Sequence, residues 1–135
     1  MSIDYAALTP GQKVSEQTCR LDADTVWKYT EAVEDWSWGR DRGNNKAAIV
    51  PPMAVAALSL RGVVNDLAIP RGTVHAGQEL EFHRAVSVDE TLTCLATVAQ
   101  NAVRGEWRYM SVQLLVEDSK GQRVMIGRST LILPL

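Results

Sequence analysis

The chain of 135 residues has few cysteines and few aromatic residues. Its two cysteines, Cys19 and Cys94, lie far apart, belong to no CxxC motif and have no histidine at a metal-ligand spacing. This spacing argues against both a zinc site and a disulfide framework. We therefore expect two reduced thiols packed in the protein interior.

The sequence also lacks an excess of positive charge and a long apolar run. It carries 14 basic and 16 acidic residues, without the basic stripe that a nucleic-acid surface needs. The longest apolar run, from residue 47 to 60, contains two prolines and is too short to cross a bilayer, and the N-terminus does not resemble a signal peptide. We expect one cytoplasmic domain, 1–135, with neither nucleic acid nor membrane as a partner.

One segment, PPMAVAALSLRGVVNDL at residues 51–67, predicts the central element of the fold. From Met53 onward its residues are apolar on nearly every side of a helical wheel, which is typical of a helix buried all round. Pro51 and Pro52 fit a first helical turn, where the missing N–H had no partner. We expect an antiparallel sheet to wrap around this helix.

The part before the central helix predicts one strand and one helix. Residues 1–11 are typical of a loosely held lead-in, and residues 13–21 of a first strand. A helix then follows with Asp22 or Asp24 as its N-cap, and it ends near Val33.

The longest irregular segment, residues 34–46, is polar but carries Trp36 and Trp38. Two tryptophans in a loop need a surface to bury against, and loops often hold functional sites. The sequence leaves two interpretations open: the indoles close the end of the core, or they line a substrate site.

Beyond residue 73 the period changes to that of strands. Val74, Ala76, Leu80, Phe82 and Val86 alternate with His75, Glu79, Glu81 and His83, which predicts a half-buried strand with a polar face. That face has the residue types of a metal site, but a solvated sheet face has the same pattern, and we expect no metal.

The remaining sequence predicts three more strands. They cover residues 91–98, 106–116 and 124–133, joined by residues 101–105 and by a hairpin turn at 118–121. With the strand after residue 73 they form a four-stranded antiparallel meander. The fold class is therefore α+β.

Four stretches in this order and spacing resemble the MaoC-like family of (R)-specific enoyl-thioester hydratases and dehydratases, in particular its FAS1-like dehydratase halves. They read AVED, AIVPPMAVAAL, TVHAGQELEFHRAVSVDETL and WRYMSVQLLVEDSKGQRV, and the resemblance extends from about Lys13 to the C-terminus. It implies a hot-dog fold, in which an antiparallel sheet wraps a long central helix. It further implies a dimer that acts on acyl thioesters of coenzyme A or acyl carrier protein without a cofactor.

Catalytic members of that family carry Asp-x-x-x-x-His in the loop before the central helix. The resemblance places Asp35 on the aspartate, whereas Arg40 occupies the histidine position. A guanidinium stays protonated and cannot accept a proton from water, so Arg40 cannot act as the base.

A second departure concerns the start of the central helix, where family members polarise the thioester carbonyl with a backbone N–H. Here the sequence reads Pro51-Pro52-Met53. Because proline has no N–H, Pro52 removes a donor, and only Met53 or a neighbour can replace it.

Three functions follow from the resemblance. In the first, the chain is a hydratase or dehydratase subunit that completes its chemistry only with a partner, as a homodimer or a heterodimer with a related hot-dog subunit. Trp36 and Trp38 would then wall the acyl tunnel, and Arg40 would hold a substrate carboxylate or phosphate or form a surface salt bridge.

In the second, the chain is a self-sufficient hydratase or thioesterase that uses Asp35, His75 or His83. The resemblance places His75 in a stretch that is often histidine in the dehydratase halves. In the third, the chain is a non-catalytic module that binds an acyl ligand or has a structural role.

Overall fold

The computed structural model describes residues 3–34 and 49–135. A short 3-10 helix, Tyr5–Ala7, precedes two α-helices and seven strands in these ranges. The elements are β1 Lys13–Arg20, α1 Ala23–Ala32, β2 Ile49–Val50, α2 Pro52–Asp66, β3 Val74–Phe82, β4 Val86–Ser87, β5 Thr91–Arg104, β6 Trp107–Asp118 and β7 Arg123–Pro134. Asp35, Trp36, Trp38 and Arg40 lie outside the described residues.

The main sheet has five antiparallel strands in the order β1-β5-β6-β7-β3, and β2 and β4 form a second small ladder. Helix α2 packs against β1, β5 and β6. One helix therefore covers one face of an antiparallel sheet, and the predicted α+β class is confirmed.

The predicted meander is right for β5, β6 and β7 but wrong for β3. Strand β3 pairs with β7 and forms the edge of the sheet opposite β1. The alternating pattern identifies β3 as a strand, but contacts distant in sequence decide which strand it pairs with. Here the chain crosses from one side of the sheet to the other between β3 and β5. Residues 101–104 are also not a connection, because β5 continues to Arg104 and turns at Gly105, whose φ is 63°.

Helix α2 begins directly after Pro51, as predicted, and its 15 residues make it about 22 Å long. This is shorter than the long helix that the sequence implied. Its buried positions are Ala54, Val55, Ala56, Leu58, Ser59, Gly62 and Val63. The prediction that it is buried on all sides is wrong for this chain, since Met53 and Val64 are each 50% exposed.

Close packing between α2 and β1 depends on Gly62. A Cβ atom at this position would lie 2.3 Å from Ser15 Oγ and 3.2 Å from Gln17 Nε2. Gln17 also donates a hydrogen bond to the carbonyl of Leu58, at 3.1 Å. The absent side chain therefore lets the helix backbone approach β1 directly.

The main core lies between α2 and the sheet. Its fully buried residues include Val55 and Val63 from the helix and Leu92, Met110 and Leu114 from the sheet. Cys94 is buried, as predicted, whereas Cys19 is only half-buried, and both are free thiols.

Residues 3–11 are held by specific hydrogen bonds rather than loosely, so that prediction is wrong for the described part of the segment. Tyr5 donates its hydroxyl hydrogen to the carbonyl of Leu67, at 2.6 Å. Asn101 donates to the carbonyls of Tyr5 and Leu8, at 2.7 and 2.9 Å. Partly buried hydrogen bonds to the C-cap of α2 and to β5 thus hold a segment whose own sequence shows no regular period.

Helix α1 begins as its sequence indicates, because Asp22 accepts a hydrogen bond from the Thr25 amide at 2.8 Å. This bond is the main cause that lowers the pKa of Asp22. Only part of the helix packs against the core: Val26 and Thr30 are buried, whereas Val33, the C-cap, is exposed.

An ionic cluster ties the connection after β3 to the β6–β7 turn. The Arg84 guanidinium donates to Glu90 Oε1 at 3.1 Å and to Asp118 Oδ2 at 2.9 Å. Asp118 also accepts from the amides of Lys120 and Gln122, at 2.8 and 2.9 Å. The hydrogen bonds from Arg84 are the largest cause that lowers the pKa of both carboxyl groups.

Candidate functional site

The start of α2 is held in place by the small ladder beside it. Ile49 and Val50 of β2 pair with Ser87 and Val86 of β4, and both valines are buried. Pro51 follows this ladder as the helix N-cap. The ladder therefore fixes where the first turn of the helix lies.

Met53 has the first backbone N–H of the helix, because Pro51 and Pro52 have none. The next amide, that of Ala54, donates to the carbonyl of Pro51 at 2.9 Å. The Met53 amide has no acceptor within the helix and lies at the positive end of the helix dipole. The Met53 side chain is exposed beside it. Met53 can therefore supply the donor that Pro52 removes.

A β-bulge in β3 changes the predicted position of His75. His75 pairs with Leu131, whereas Gly77 pairs with Thr130, so Ala76 is an extra residue. Since directly paired residues share a sheet face, His75 lies on the face of buried Leu131, which is the helix side.

Glu79 and Glu81 lie on the opposite face, where they pair with Arg128 and Ile126. His83 contacts Glu81, with 3.2 Å between Nε2 and Oε1. The prediction that His75, Glu79, Glu81 and His83 share one face is therefore wrong, because the bulge shifts the period after His75. The two histidines cannot act on one substrate from a common face of this strand.

Strand β3 is exposed on both faces, except that Leu80 is half-buried. The predicted half-buried strand is wrong for this chain, since β3 lies at the sheet edge beyond the area that α2 covers. Val74 and Phe82 are 52% and 38% exposed. An edge strand with apolar side chains and unpaired backbone groups is a surface on which another strand can pair.

Sequence reasoning missed a buried hydroxyl on the helix side of β7. Ser129 is fully buried, and its Oγ has no hydrogen-bond partner among the described residues. It pairs with Val112 on one side and with Gln78 of β3 on the other. A single serine within a strand of alternating apolar residues gives no sign in the sequence that its hydroxyl is buried without a partner.

Sequence reasoning also missed a cleft of about 570 Å³ on the sheet face away from the helix. Its polar lining includes Glu79, Gln100, Arg104, Tyr109 and Arg128. Arg104 lies 5.6 Å from the centre of the Tyr109 ring, which favours a cation–π contact. This cleft is separated by the sheet from the start of α2.

Across residues 3–34 and 49–135, no three His, Cys, Asp or Glu side chains come close enough to hold a metal ion. In the same ranges no helix has the length and apolar character needed to cross a membrane. The described part of the candidate site is the helix start at Pro52 and Met53. His75 lies near the beginning of the exposed edge strand β3, and no contact among the described residues brings it to the helix start.

Comparison with known families matches residues 9–127 to the FAS1-like dehydratase domain region. The chain belongs to this family. The match covers most of the chain, and it confirms the resemblance that the sequence motifs indicated. Comparison with curated protein sequences finds no significant match.

Solved structures of related folds confirm the hot-dog fold of this FAS1-like dehydratase domain. The (R)-hydratase from A. caviae, described as involved in PHA biosynthesis, is 23% identical with a TM-score of 0.77 over 95% of this chain and 98% of that one. The MaoC-like dehydratase from Rhodospirillum rubrum is 15% identical, with a TM-score of 0.78 over 98% and 97% of the two chains.

A third similar structure is a complex. A chain of HadBC, a 3R-hydroxyacyl-ACP dehydratase complex from Mycobacterium tuberculosis, is 16% identical, with a TM-score of 0.70 over 92% of this chain and 98% of that one.

Proposed function

We propose that the chain is a subunit of an acyl-thioester hydratase or dehydratase and that a second, related hot-dog subunit supplies the catalytic base. The observation that carries this proposal is the arginine at position 40, where the family motif has its histidine. Membership of the FAS1-like dehydratase family supports the substrate class, an enoyl or 3-hydroxyacyl thioester.

The chemistry requires a base for water and a donor for the thioester carbonyl. Hydration moves one proton from water to the substrate α-carbon, and the developing oxyanion needs a hydrogen bond. Asp35 can hold the water, but Arg40 cannot accept its proton. The Met53 amide remains as a donor at the helix start. This chain therefore offers substrate-binding groups without a complete acid–base pair.

In the same proposal, the side chains of the segment before α2 bind substrate. Trp36 and Trp38 line the tunnel that holds the acyl chain. Arg40 pairs with a phosphate or carboxylate group of the thioester substrate, whether its carrier is coenzyme A or acyl carrier protein. His75 lies on the helix side of the sheet and contributes to the binding surface there.

The unpaired edge of β3 is the proposed contact with the second subunit. Its exposed backbone and apolar side chains favour the addition of an antiparallel strand. HadBC and ChsH1–ChsH2 from Mycobacterium tuberculosis, two complexes with chains similar to this one, are consistent with a related partner.

The charge of β3 favours a different partner over a second copy. Two copies related by a two-fold axis pair β3 with itself. If all nine residues of β3 pair in this way, the two-fold axis passes through Gln78. Glu79 of one copy then lies directly opposite Gly77 of the other copy and diagonal to Glu79 of that copy. Like charges at such positions are unfavourable. A partner strand with basic side chains at these positions avoids that cost.

The test uses the purified chain and a short trans-2-enoyl-CoA. We expect calorimetry to detect binding and the conjugated thioester absorbance to stay constant. Binding should weaken in Arg40→Ala, with Arg61→Ala on the exposed side of α2 as the matched control. Absence of binding by the folded chain would contradict a role as a substrate-binding subunit.

A further inference from the structure

Cys19 and Cys94 lie close together on the helix side of the sheet. Cys19 of β1 is directly opposite Leu92 of β5, and Cys94 is directly opposite Gln17, so the two cysteines are diagonal neighbours. Their sulfur atoms are 3.9 Å apart. Residues separated by 75 positions in the sequence are thus brought to one point of the fold.

The two thiols have different surroundings. Cys94 is only 3% exposed, whereas Cys19 is half-buried on the edge strand. The hydrogen bond with Cys94 and, after it, the positive charge of Arg61 lower the pKa of Cys19 to about 7 against the opposing effect of burial. The hydrogen bond with Cys19 and burial raise the pKa of Cys94. Cys19 is therefore the reachable nucleophile, and Cys94 retains its proton.

We propose that Cys19 and Cys94 form a reversible redox site, in which a peroxide oxidises Cys19 and Cys94 then closes a disulfide. The Cys19 thiolate attacks one peroxide oxygen, the O–O bond breaks, and Cys19 becomes a sulfenic acid while the other oxygen leaves as hydroxide. The Cys94 sulfur then attacks Cys19, an S–S bond forms, and the hydroxyl of the sulfenic acid leaves with the Cys94 proton as water.

The position of β1 makes the second step feasible. The sulfur atoms must move from 3.9 Å to a bond length of about 2.05 Å. Among the described strands, β1 lies at the sheet edge and pairs with β5 alone, so a small shift breaks no second ladder there. The resulting bond would join β1 to β5 beneath the segment of α2 that carries Arg61.

This redox site does not depend on the proposed hydratase function. Neither cysteine belongs to the helix start or to the family motif, and the test needs no substrate. It applies to the whole chain in its folded form, with the reduced protein as the starting material.

The test treats the reduced protein with hydrogen peroxide at neutral pH and follows intact mass. Wild type should lose two hydrogen atoms and regain them with a thiol reductant. Cys94→Ser should instead stop at a sulfenic acid that dimedone traps on Cys19, and Cys19→Ser should give neither product. Oxidation of wild type to sulfinic acid without a disulfide, or an untrapped Cys94→Ser chain, would overturn the proposal.

A second measurement needs only the wild-type chain. Alkylation by iodoacetamide, mapped on peptides, should modify Cys19 much faster than Cys94 and should slow as pH falls below about 7. Equal rates at the two cysteines would contradict the assignment of Cys19 as the attacked residue.

Discussion

At the scale of single residues, the proposed function depends on the side chain at position 40. A histidine there can take a proton from water near neutral pH, whereas the arginine of this chain cannot. In the proposed function Asp35 keeps its place in the family motif, and the Met53 amide is the donor at the helix start. The missing base is then attributed to the side chain at position 40 alone.

Replacing that side chain should restore the chemistry. We predict that Arg40→His raises hydration of a short trans-2-enoyl-CoA by about 10²-fold or more above wild type, because general-base catalysis typically contributes that much. The loss of conjugated thioester absorbance measures this rate. Arg40→Gln removes the same charge without adding a base and should show no gain. Equal rates in both variants would contradict the missing-base account.

Acid should weaken the Arg84 cluster. The pKa values of Glu90 and Asp118 are lower in the folded chain than in the unfolded chain. Their ionised forms therefore stabilise the folded chain when the pH is above the unfolded pKa values of about 4. This contribution is lost as the pH falls through the lower pKa values of the folded chain. We predict that Arg84→Gln lowers the urea midpoint at pH 7 and that its deficit shrinks below pH about 4.

The exposed Lys28–Asp24 pair, at 3.1 Å, provides the control. Lys28→Gln should change the urea midpoint little at either pH, since exposed ion pairs contribute little. An Arg84→Gln deficit that is the same at both pH values would show that the cluster does not titrate with folding.

At the scale of secondary-structure elements, the close packing of α2 on β1 contributes to the stability of the fold. Gly62→Val places a side chain where Ser15 Oγ and Gln17 already lie. We predict a loss of about 1–3 kcal/mol or more in the free energy of unfolding, as for overpacked cores. Ala57→Val, on the exposed side of the same helix, should cost much less. Urea unfolding of both variants checks this, and equal losses would contradict the close contact.

Local sequence patterns predicted the starts of the two α-helices. The two prolines mark the start of α2, and Asp22 caps α1, because backbone chemistry within a few residues decides both features. The face of His75 could not be predicted, since a bulge is defined by the register with β7. The exposure of Val64 depends on how far the sheet extends around the helix.

Some residues of the candidate site could be predicted from the sequence and others could not. Asp35 and Arg40 follow from the family motif, and they remain predictions outside the described residues. Pro52 and Met53 could be placed at the helix start from the sequence alone. Ser129 could not, because its burial and missing partner arise only from three-dimensional packing.

At the scale of the whole molecule, the proposed function assigns the choice of partner to the edge strand β3. We predict that a Glu79→Lys variant associates with the wild-type chain more strongly than either chain associates with itself, because the introduced lysine then lies diagonal to Glu79 of the wild-type chain across the edge. Sedimentation of labelled mixtures measures this. Glu106→Lys, on the β5–β6 turn, should have no such effect, and equally strong self-association of wild type would contradict the edge argument.

The central claim is that this chain binds an acyl thioester but does not complete its hydration alone. The most direct measurement is the conjugated thioester absorbance of a short trans-2-enoyl-CoA mixed with the purified, folded chain. The account predicts no loss of absorbance beyond the uncatalysed rate. Turnover by the wild-type chain that disappears in Asp35→Asn would contradict it and would show that another residue of this chain supplies the base.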